Sequence, residues 1–207
     1  MNQTQIKMKC VKLGQTVITE NSPPYIIAEI GVNHEGSIYE AKKLVKLAKN
    51  GGAHAAKFQT YKAHKLASKK SPSYWDLEME TTSSQYDLFK KYDNFGPDEF
   101  KLLAEYCNEI GIDFLSTAFD VESVEFLDDL MSYFKIASAD LTNIPFLRKI
   151  ASKGKPVLLS TGASTLAEID LAVGELLNSG CSNIVLLHCI LNYPTINENA
   201  HLEMIRS

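Results

Sequence analysis

The chain has 207 residues, of which 45% are apolar and 22% charged, with 21 basic against 25 acidic side chains. This length suffices for a globular domain with a sizeable core, and the formal net charge of −4 argues against nucleic acid as a partner, because phosphate backbones need clustered Lys and Arg. No apolar run approaches the roughly 20 residues of a membrane helix, and residues 1–20 lack the apolar core of a signal peptide. A cytoplasmic protein that binds no membrane is therefore expected. The four cysteines are scattered, which favours reduced thiols over a disulfide framework.

Six short runs are almost continuously apolar, the pattern typical of a parallel sheet covered on both faces. In chain order the predicted strands are Tyr25–Ile30, Ala55–Thr60, Asp113–Thr117, Tyr133–Ser138, Pro156–Ser160 and Ile184–Cys189. Helical periodicity separates most of them, so the chain alternates between strand and helix, as in βα units. A polar insertion, Tyr61–Phe95, follows the second strand, and excursions of this length in a compact domain are more often functional or mobile than idle.

The predicted helices carry recognisable start and stop signals. Capping boxes are expected where Ser or Thr precedes Glu by three residues, and left-handed turns are expected at glycines that follow helical patterns. The capping pairs are Ser37 with Glu40 and Thr165 with Glu168, the terminal glycines are Gly51, Gly111 and Gly180, and Pro97 and Pro145 mark helix starts. At the amino end, Lys7–Lys12 and Thr16–Glu20 flank a turn at Gly14 and predict a small β-hairpin within residues 1–24.

Polar residues, which a buried strand does not need, collect where the predicted strands end. They are Glu29, Lys57, Gln59, Ser116, Thr117, Ser138, Asp140, the Ser160–Gly162 turn, and His188 followed by Asn192 and Tyr193. In a βα barrel all strands end on the same face, so these groups would converge, whereas in a doubly wound sheet they would meet only near the switch point. Convergence from six strands favours the barrel.

Two lysines inside apolar strands, Lys57 and Lys135, are the most informative of these residues, because lysine is almost never buried without an anion. An ion pair between Lys57 and Glu29 is the structural alternative, but two inward lysines are hard to pair internally. Together with Thr117, Ser138 and Ser160 they favour a pocket for a phosphate or a carboxylate. His188 lies in such an apolar strand, where a histidine is more often a core residue than a metal ligand.

Several strings, taken jointly and in order, closely resemble the motifs of the sialic acid (N-acetylneuraminate) synthase family. They are Ile27–Gly36, Ala56–Thr60, Leu115–Phe119, Lys135–Ser138, Lys155–Gly162, and Leu187–Cys189 with Tyr193 and Pro194. The resemblance covers nearly all of the chain from about residue 25 to about residue 200. It implies a (β/α)8 TIM-type barrel, of which residues 25–207 supply about six βα units. The hairpin of residues 1–24 is expected to cap the barrel.

The resemblance also implies an activity, the condensation of phosphoenolpyruvate with an N-acylated hexosamine of the N-acetylmannosamine type. The products would be a sialic-type nonulosonic acid and phosphate. By resemblance, Lys57, Thr117, Lys135, Ser138, Ser160 and Gly162 would hold phosphoenolpyruvate, and Glu29, Gln59, Asp140 and Tyr193 would face the sugar, with Glu29 and Lys57 as catalytic residues. Asp140, where many members have Glu, and Leu191 suggest a subgroup nearer to legionaminic-type or spore-coat synthases.

Other family features find no counterpart in this sequence. The family uses a divalent metal, Mn²⁺ or Mg²⁺, held by two histidines on the seventh and eighth strands, and neither His188 nor His201 fills those positions. We therefore assign no metal ligand to this chain. The full-length family form is expected to be a homodimer with a C-terminal antifreeze-like domain. Alternatives are a related phosphoenolpyruvate aldol synthase of 3-deoxy sugar acids, or a non-catalytic truncated paralogue that acts as a binding or assembly module.

Overall fold

Two sheets organise the residues that the computed structural model describes, which are 10–162, 164–192 and 194–206. Strands β1 (Cys10–Leu13) and β2 (Thr16–Thr19) form an antiparallel hairpin. The larger sheet has six parallel strands in chain order, which are β3 (Ile27–Gly31), β4 (Ala55–Thr60), β5 (Asp113–Ala118), β6 (Phe134–Ile136), β7 (Val157–Ser160) and β8 (Ile184–Leu187). The helices are α1 (Ile38–Asn50), α2 (Ala63–Leu66), α3 (Gln85–Tyr92), α4 (Pro97–Ile110), α5 (Val121–Asp128), α6 (Ile144–Ala151) and α7 (Leu166–Asn178). The prediction of six βα units of a TIM-type barrel preceded by a hairpin is confirmed.

The core lies between the sheet and the helices, where apolar residues of alternate strand positions meet the apolar stripes of the helices. Phe58 of β4, Val45 of α1 and Leu103 of α4 are completely buried in one cluster. Side chains on either side of Phe58, at positions 57 and 59, must therefore point to the opposite face of the sheet. This alternation leaves that second face available to the polar residues.

Most of the predicted helix ends are confirmed. Thr165 and Glu168 form a reciprocal capping box, and Gly111 and Gly180 adopt left-handed backbone angles with φ of +72° and +105°. Gly51 is a correction, because its φ of −75° is right-handed. Gly52, with φ of +85°, makes the reversal instead, and its N–H donates to Lys49 O at 3.0 Å.

The hairpin packs against the amino ends of the strands. Leu13 is only 2% exposed and joins the core, and Gly14 turns with φ of +56° directly over the carboxylate of Asp113, the first residue of β5. Tyr25 donates its hydroxyl to the same carboxylate, and its oxygen lies 3.0 Å from the hydroxyl of Tyr133. The hairpin therefore lies at the end of the sheet opposite to the predicted site.

The insertion after β4 is folded rather than open. It contains α2 and α3, and Lys62 holds its two ends together by donating to Asp93 O at 2.7 Å and to Phe95 O at 2.9 Å. Within the described ranges, no helix is long and apolar enough to cross a membrane. All four cysteines are free.

Candidate anion-binding site

The predicted site residues lie at the carboxyl ends of neighbouring strands. The parallel register places Glu29 beside Lys57, Gln59 beside Thr117, and Thr117 beside Lys135. Because these residues share one parity along their strands, they lie on the face turned away from the helices. The sheet therefore brings together five of the predicted residues of β3 to β6, which are Glu29, Lys57, Gln59, Thr117 and Lys135. Ser116 is a correction, because it pairs in register with the core residue Phe58, lies on the opposite face and has its hydroxyl 2.6 Å from Thr60 Oγ1.

Lys57 is nearly buried, with 9% of its surface exposed. Its ammonium forms an ion pair with the carboxylate of Glu29 and lies 3.5 Å from Thr117 Oγ1. The side chain of Glu29 is 52% exposed, so the carboxylate lies at the mouth of the site with the ammonium beneath it. The ion pair considered as the structural alternative for Lys57 is therefore present.

Lys135 is equally buried but has different partners. Its ammonium donates to Ser160 Oγ at 2.6 Å and to the carbonyl of Ile136 at 2.8 Å. Among the described residues no carboxylate lies within ion-pair distance of this group. Burial, and next the positive charge of Lys57, lower the pKa of Lys135 to about 8. The cation is therefore held by neutral oxygens alone.

Two turns extend this pocket beyond the strands. A 3₁₀ turn, Ser138–Asp140, follows β6, and Gly162, with φ of +21°, ends the turn after β7. A Cβ atom at Gly162 would approach both Oγ and Cβ of Ser138 to less than 3.0 Å, so only glycine lets these turns meet. Asp140 is partly buried, which raises the pKa of its carboxyl group, and Asn143 Nδ2 lies 3.4 Å from it.

Gly31 marks the sugar side suggested by the family resemblance. A Cβ at this residue would lie 3.3 Å from Glu29 Oε1 and 3.9 Å from Gln59 Nε2, so those two side chains flank the glycine. Tyr193, the remaining predicted site residue, lies outside the described residues. The geometry therefore groups Glu29 with Gln59.

One residue of this region was missed as a positioning group. His34 is 2% exposed, stacks on Phe95 with ring centroids 4.1 Å apart, and accepts a hydrogen bond from the Gly36 N–H at Nδ1. Burial lowers the pKa of His34 to about 4, so the ring is neutral at pH 7. It joins the loop after β3 to the end of the insertion. Gly36, two residues after His34, was the sequence feature that could have indicated a tight turn closed by the histidine ring.

His188 behaves as a structural residue, since its Nε2 lies 2.7 Å from the carbonyl oxygen of Ala200. In the described part of the chain, no three His, Cys, Asp or Glu side chains lie together in a way that could hold a metal ion. These residues therefore do not fit the metal that the family resemblance implies. What the arrangement offers is a pair of buried ammonium groups, three hydroxyl groups and a glycine turn, all suited to an anion.

The chain is similar in sequence and in fold to known proteins. Residues 44–207 match the NeuB family. The chain is 44% identical over 97% of its length to an uncharacterized protein of Methanocaldococcus jannaschii, and 40% identical over 88% of its length to the N,N'-diacetyllegionaminic acid synthase of Legionella pneumophila. It spans about half of each relative, 56% and 53% respectively. A crystal structure of an N-acetylneuraminic acid synthetase from Leptospira borgpetersenii in complex with citrate superposes with a TM-score of 0.84 at 32% identity, covering 96% of this chain and 65% of that one.

Proposed function

Because the chain belongs to the NeuB family, we propose that it supplies the phosphoenolpyruvate-binding part of a nonulosonic acid synthase. The reaction joins C3 of phosphoenolpyruvate to the aldehyde carbon of an open-chain N-acylated hexosamine. Water adds at C2 and phosphate leaves, so that a sialic-type acid forms. We place this reaction in the cytoplasm, with a homodimer as the full-length form.

The observation that carries the proposal is the pair of buried lysines on one face of the sheet, Lys57 on β4 and Lys135 on β6, with β5 between them. Lys57 has one carboxylate partner at the solvent side, whereas Lys135 has only neutral partners among the described residues. A ligand with both phosphate and carboxylate groups would supply the missing negative charge. Thr117 lies beside Lys57, Ser160 accepts a hydrogen bond from Lys135, and Ser138 packs against Gly162 in the turns that follow β6 and β7. These four residues would bind the remaining anionic oxygens.

The sugar side rests on Glu29, Gln59, Asp140 and Tyr193. Glu29 has an exposed carboxylate that is already oriented by Lys57, which suits it to accept a hydrogen bond or a proton from a sugar hydroxyl. Asp140 is shorter than the glutamate of many family members, and partial burial raises the pKa of its carboxyl group. An N,N'-diacetylated sugar is the acceptor we favour, since the legionaminic acid synthases are among the relatives with 40% or more identity.

The first test is direct binding of phosphoenolpyruvate to this chain by titration calorimetry. Lys57→Ala should weaken binding by roughly 10-fold or more, because one charge-assisted contact with an anion is worth about 1.5–3 kcal/mol. Lys46→Ala, on the exposed side of α1, is the matched control and should leave the affinity unchanged. Equal effects of the two substitutions would contradict the assignment.

The second test concerns the acceptor and uses the full-length protein with Mn²⁺. Phosphate release should depend on an N-acylated hexosamine, and Lys57→Ala should raise the KM for phosphoenolpyruvate far more than the KM for the sugar. Turnover with arabinose 5-phosphate or erythrose 4-phosphate instead would favour an aldol synthase of 3-deoxy sugar acids. A full-length protein that releases no phosphate with any acceptor would favour a binding or assembly module.

A further inference from the structure

The two buried lysines of the site differ in their partners. Lys57 is neutralised by Glu29, whereas the amine of Lys135 touches a hydroxyl group and a carbonyl oxygen. The titratable groups that act on Lys135 are Lys57 from β4, Glu29 from β3 and Cys189 after β8. Burial and the neighbouring cation oppose a positive charge on Lys135 more strongly than Glu29 and Cys189 favour it.

A lysine amine becomes a nucleophile when it is uncharged and held in place. At pH 7.5 an amine with a pKa of about 8 is neutral in roughly a quarter of the molecules, against about one in a thousand for an ordinary lysine. The hydrogen bonds to Ser160 Oγ and to Ile136 O use two N–H groups of Lys135 and leave the nitrogen lone pair of the neutral form free of these contacts. The amine of Lys135 therefore meets both requirements, because its neutral form is populated at pH 7.5 and its position is fixed.

We infer that Lys135 is a covalent capture site for 2-keto acids, forming an imine with the ketone carbon while the carboxylate lies against Lys57. In a 2-keto acid the carboxylate is bonded directly to the ketone carbon. The ketone carbon can therefore meet the amine of Lys135 while the carboxylate meets the neighbouring ammonium of Lys57. The hydroxyl group of Thr117, 3.5 Å from Lys57 Nζ and paired in register with Lys135, lies between the two and can donate to the carboxylate. A neutral ketone would lack this second contact.

The step balances without a further reactant. The nitrogen of Lys135 forms a bond to the ketone carbon, the carbonyl oxygen takes up the two hydrogens of the amine, and it leaves as water. The product is a C=N bond, which hydrolysis reverses. Pyruvate is the smallest probe with the required chemistry, and sodium cyanoborohydride supplies the hydride that turns the imine into a stable N-carboxyethyl lysine.

The experiment incubates the folded chain with pyruvate and cyanoborohydride at pH 7.5 and maps the adducts by peptide mass spectrometry. Lys135 should be modified at least 10-fold faster than Lys155, which is partly buried but paired with Asp128 at 2.7 Å and serves as the matched control. Lys135→Arg should abolish the dominant adduct, and acetone in place of pyruvate should modify Lys135 no faster than surface lysines. Prior unfolding of the wild-type chain in urea should remove the selectivity, so the inference does not depend on a variant that folds.

Modification spread over the lysines in proportion to their exposure would overturn the inference, and so would equal rates with pyruvate and acetone. This result is separable from the proposed function. If phosphoenolpyruvate binds but Lys135 is not selectively modified, the capture site is wrong and the proposed function stands. If Lys135 is selectively modified and phosphoenolpyruvate neither binds nor protects it, the proposed function fails and the capture site stands.

Discussion

Replacing Gly162 by alanine tests the close packing of the two turns that complete the candidate site. The new Cβ would meet two costs, a positive φ of +21° and an approach to Ser138 Oγ and Cβ closer than 3.0 Å. The backbone cost is about 1 kcal/mol, and overpacking of this kind adds about 2 kcal/mol. Rotation of the Ser138 side chain cannot relieve the overlap, because its Cβ does not move. We expect the free energy of unfolding to fall by about 3 kcal/mol.

Two other glycines separate these costs. Gly154 has φ of +69°, and no atom lies within 4 Å of the position that a Cβ would take there, so Gly154→Ala should lose only the backbone contribution of about 1 kcal/mol. Gly174 lies within α7, has open space around it and carries no positive φ, so Gly174→Ala should gain up to about 1 kcal/mol from helix propensity. The order of stability should therefore be Gly174→Ala, wild type, Gly154→Ala and Gly162→Ala.

The decisive experiment removes the Ser138 side chain, against which the new Cβ would pack. Stability is measured by urea unfolding, followed by circular dichroism. Ser138→Gly should itself cost about 1 kcal/mol through backbone entropy, yet the double variant with Gly162→Ala should be more stable than Gly162→Ala alone by about 1 kcal/mol. That pattern corresponds to a coupling of about 2 kcal/mol, which only contacting residues show. Additive effects of the two substitutions, or a Gly162→Ala variant as stable as Gly154→Ala, would refute the packing described for this site.

Three further predictions concern His34, the Glu29–Lys57 ion pair and Gly14. The pKa of His34 is lowered to about 4 in the folded chain, below its ordinary value of about 6.5, so unfolded molecules bind the proton first and stability is lost as pH falls from about 6.5 to about 4. The loss should reach up to about 3 kcal/mol and should flatten in His34→Gln, as followed by urea unfolding at each pH. Glu29→Gln should destabilise the chain by about 1–2 kcal/mol because it leaves Lys57 buried without its carboxylate, whereas Lys57→Met should be almost neutral; the reverse order would contradict the ion-pair geometry. Gly14→Ala should place a Cβ against the Asp113 carboxylate at a φ of +56° and should raise hydrogen exchange in the hairpin amides more than in the six-stranded sheet.

The strands were predictable because each is apolar, short and followed by polar residues that a buried strand does not need. That rule found Lys57, Thr117 and Lys135, which lie on three consecutive strands, with Thr117 in register with Lys135 and its Oγ1 3.5 Å from Lys57 Nζ. Helix ends were predictable wherever one residue determines the turn, as at Gly111. The error at Gly51 arose because two consecutive glycines can both end a helix, and only the hydrogen bonds to Lys49 and Ala48 decide between them.

The sequence offered only one partner for a buried lysine, Glu29 for Lys57, and only as an alternative to a bound anion. Nothing in the spacing shows that a carboxylate reaches Lys57 while no described carboxylate reaches Lys135, since both lysines follow the same apolar pattern. His34 was missed for a related reason, because its partner Phe95 lies at the far end of the insertion, 61 positions along the chain, and only the folded insertion brings the rings together. Long-range contacts of this kind depend on where a loop returns, which local periodicity does not encode.

The order of the six parallel strands bears on how the chain reaches its fold. Each strand pairs with the strand that immediately precedes it in the sequence, so every pairing is available once one further βα unit has been synthesised. Growth of the sheet during translation would therefore proceed in one direction, from β3 towards β8, with β3 and the most recently added strand as its open edges. The slowest closure should be that between β4 and β5, whose connection carries the folded insertion and is the longest in the sheet. Residues that tie the insertion together, such as Lys62, would then influence the folding rate more than the final stability.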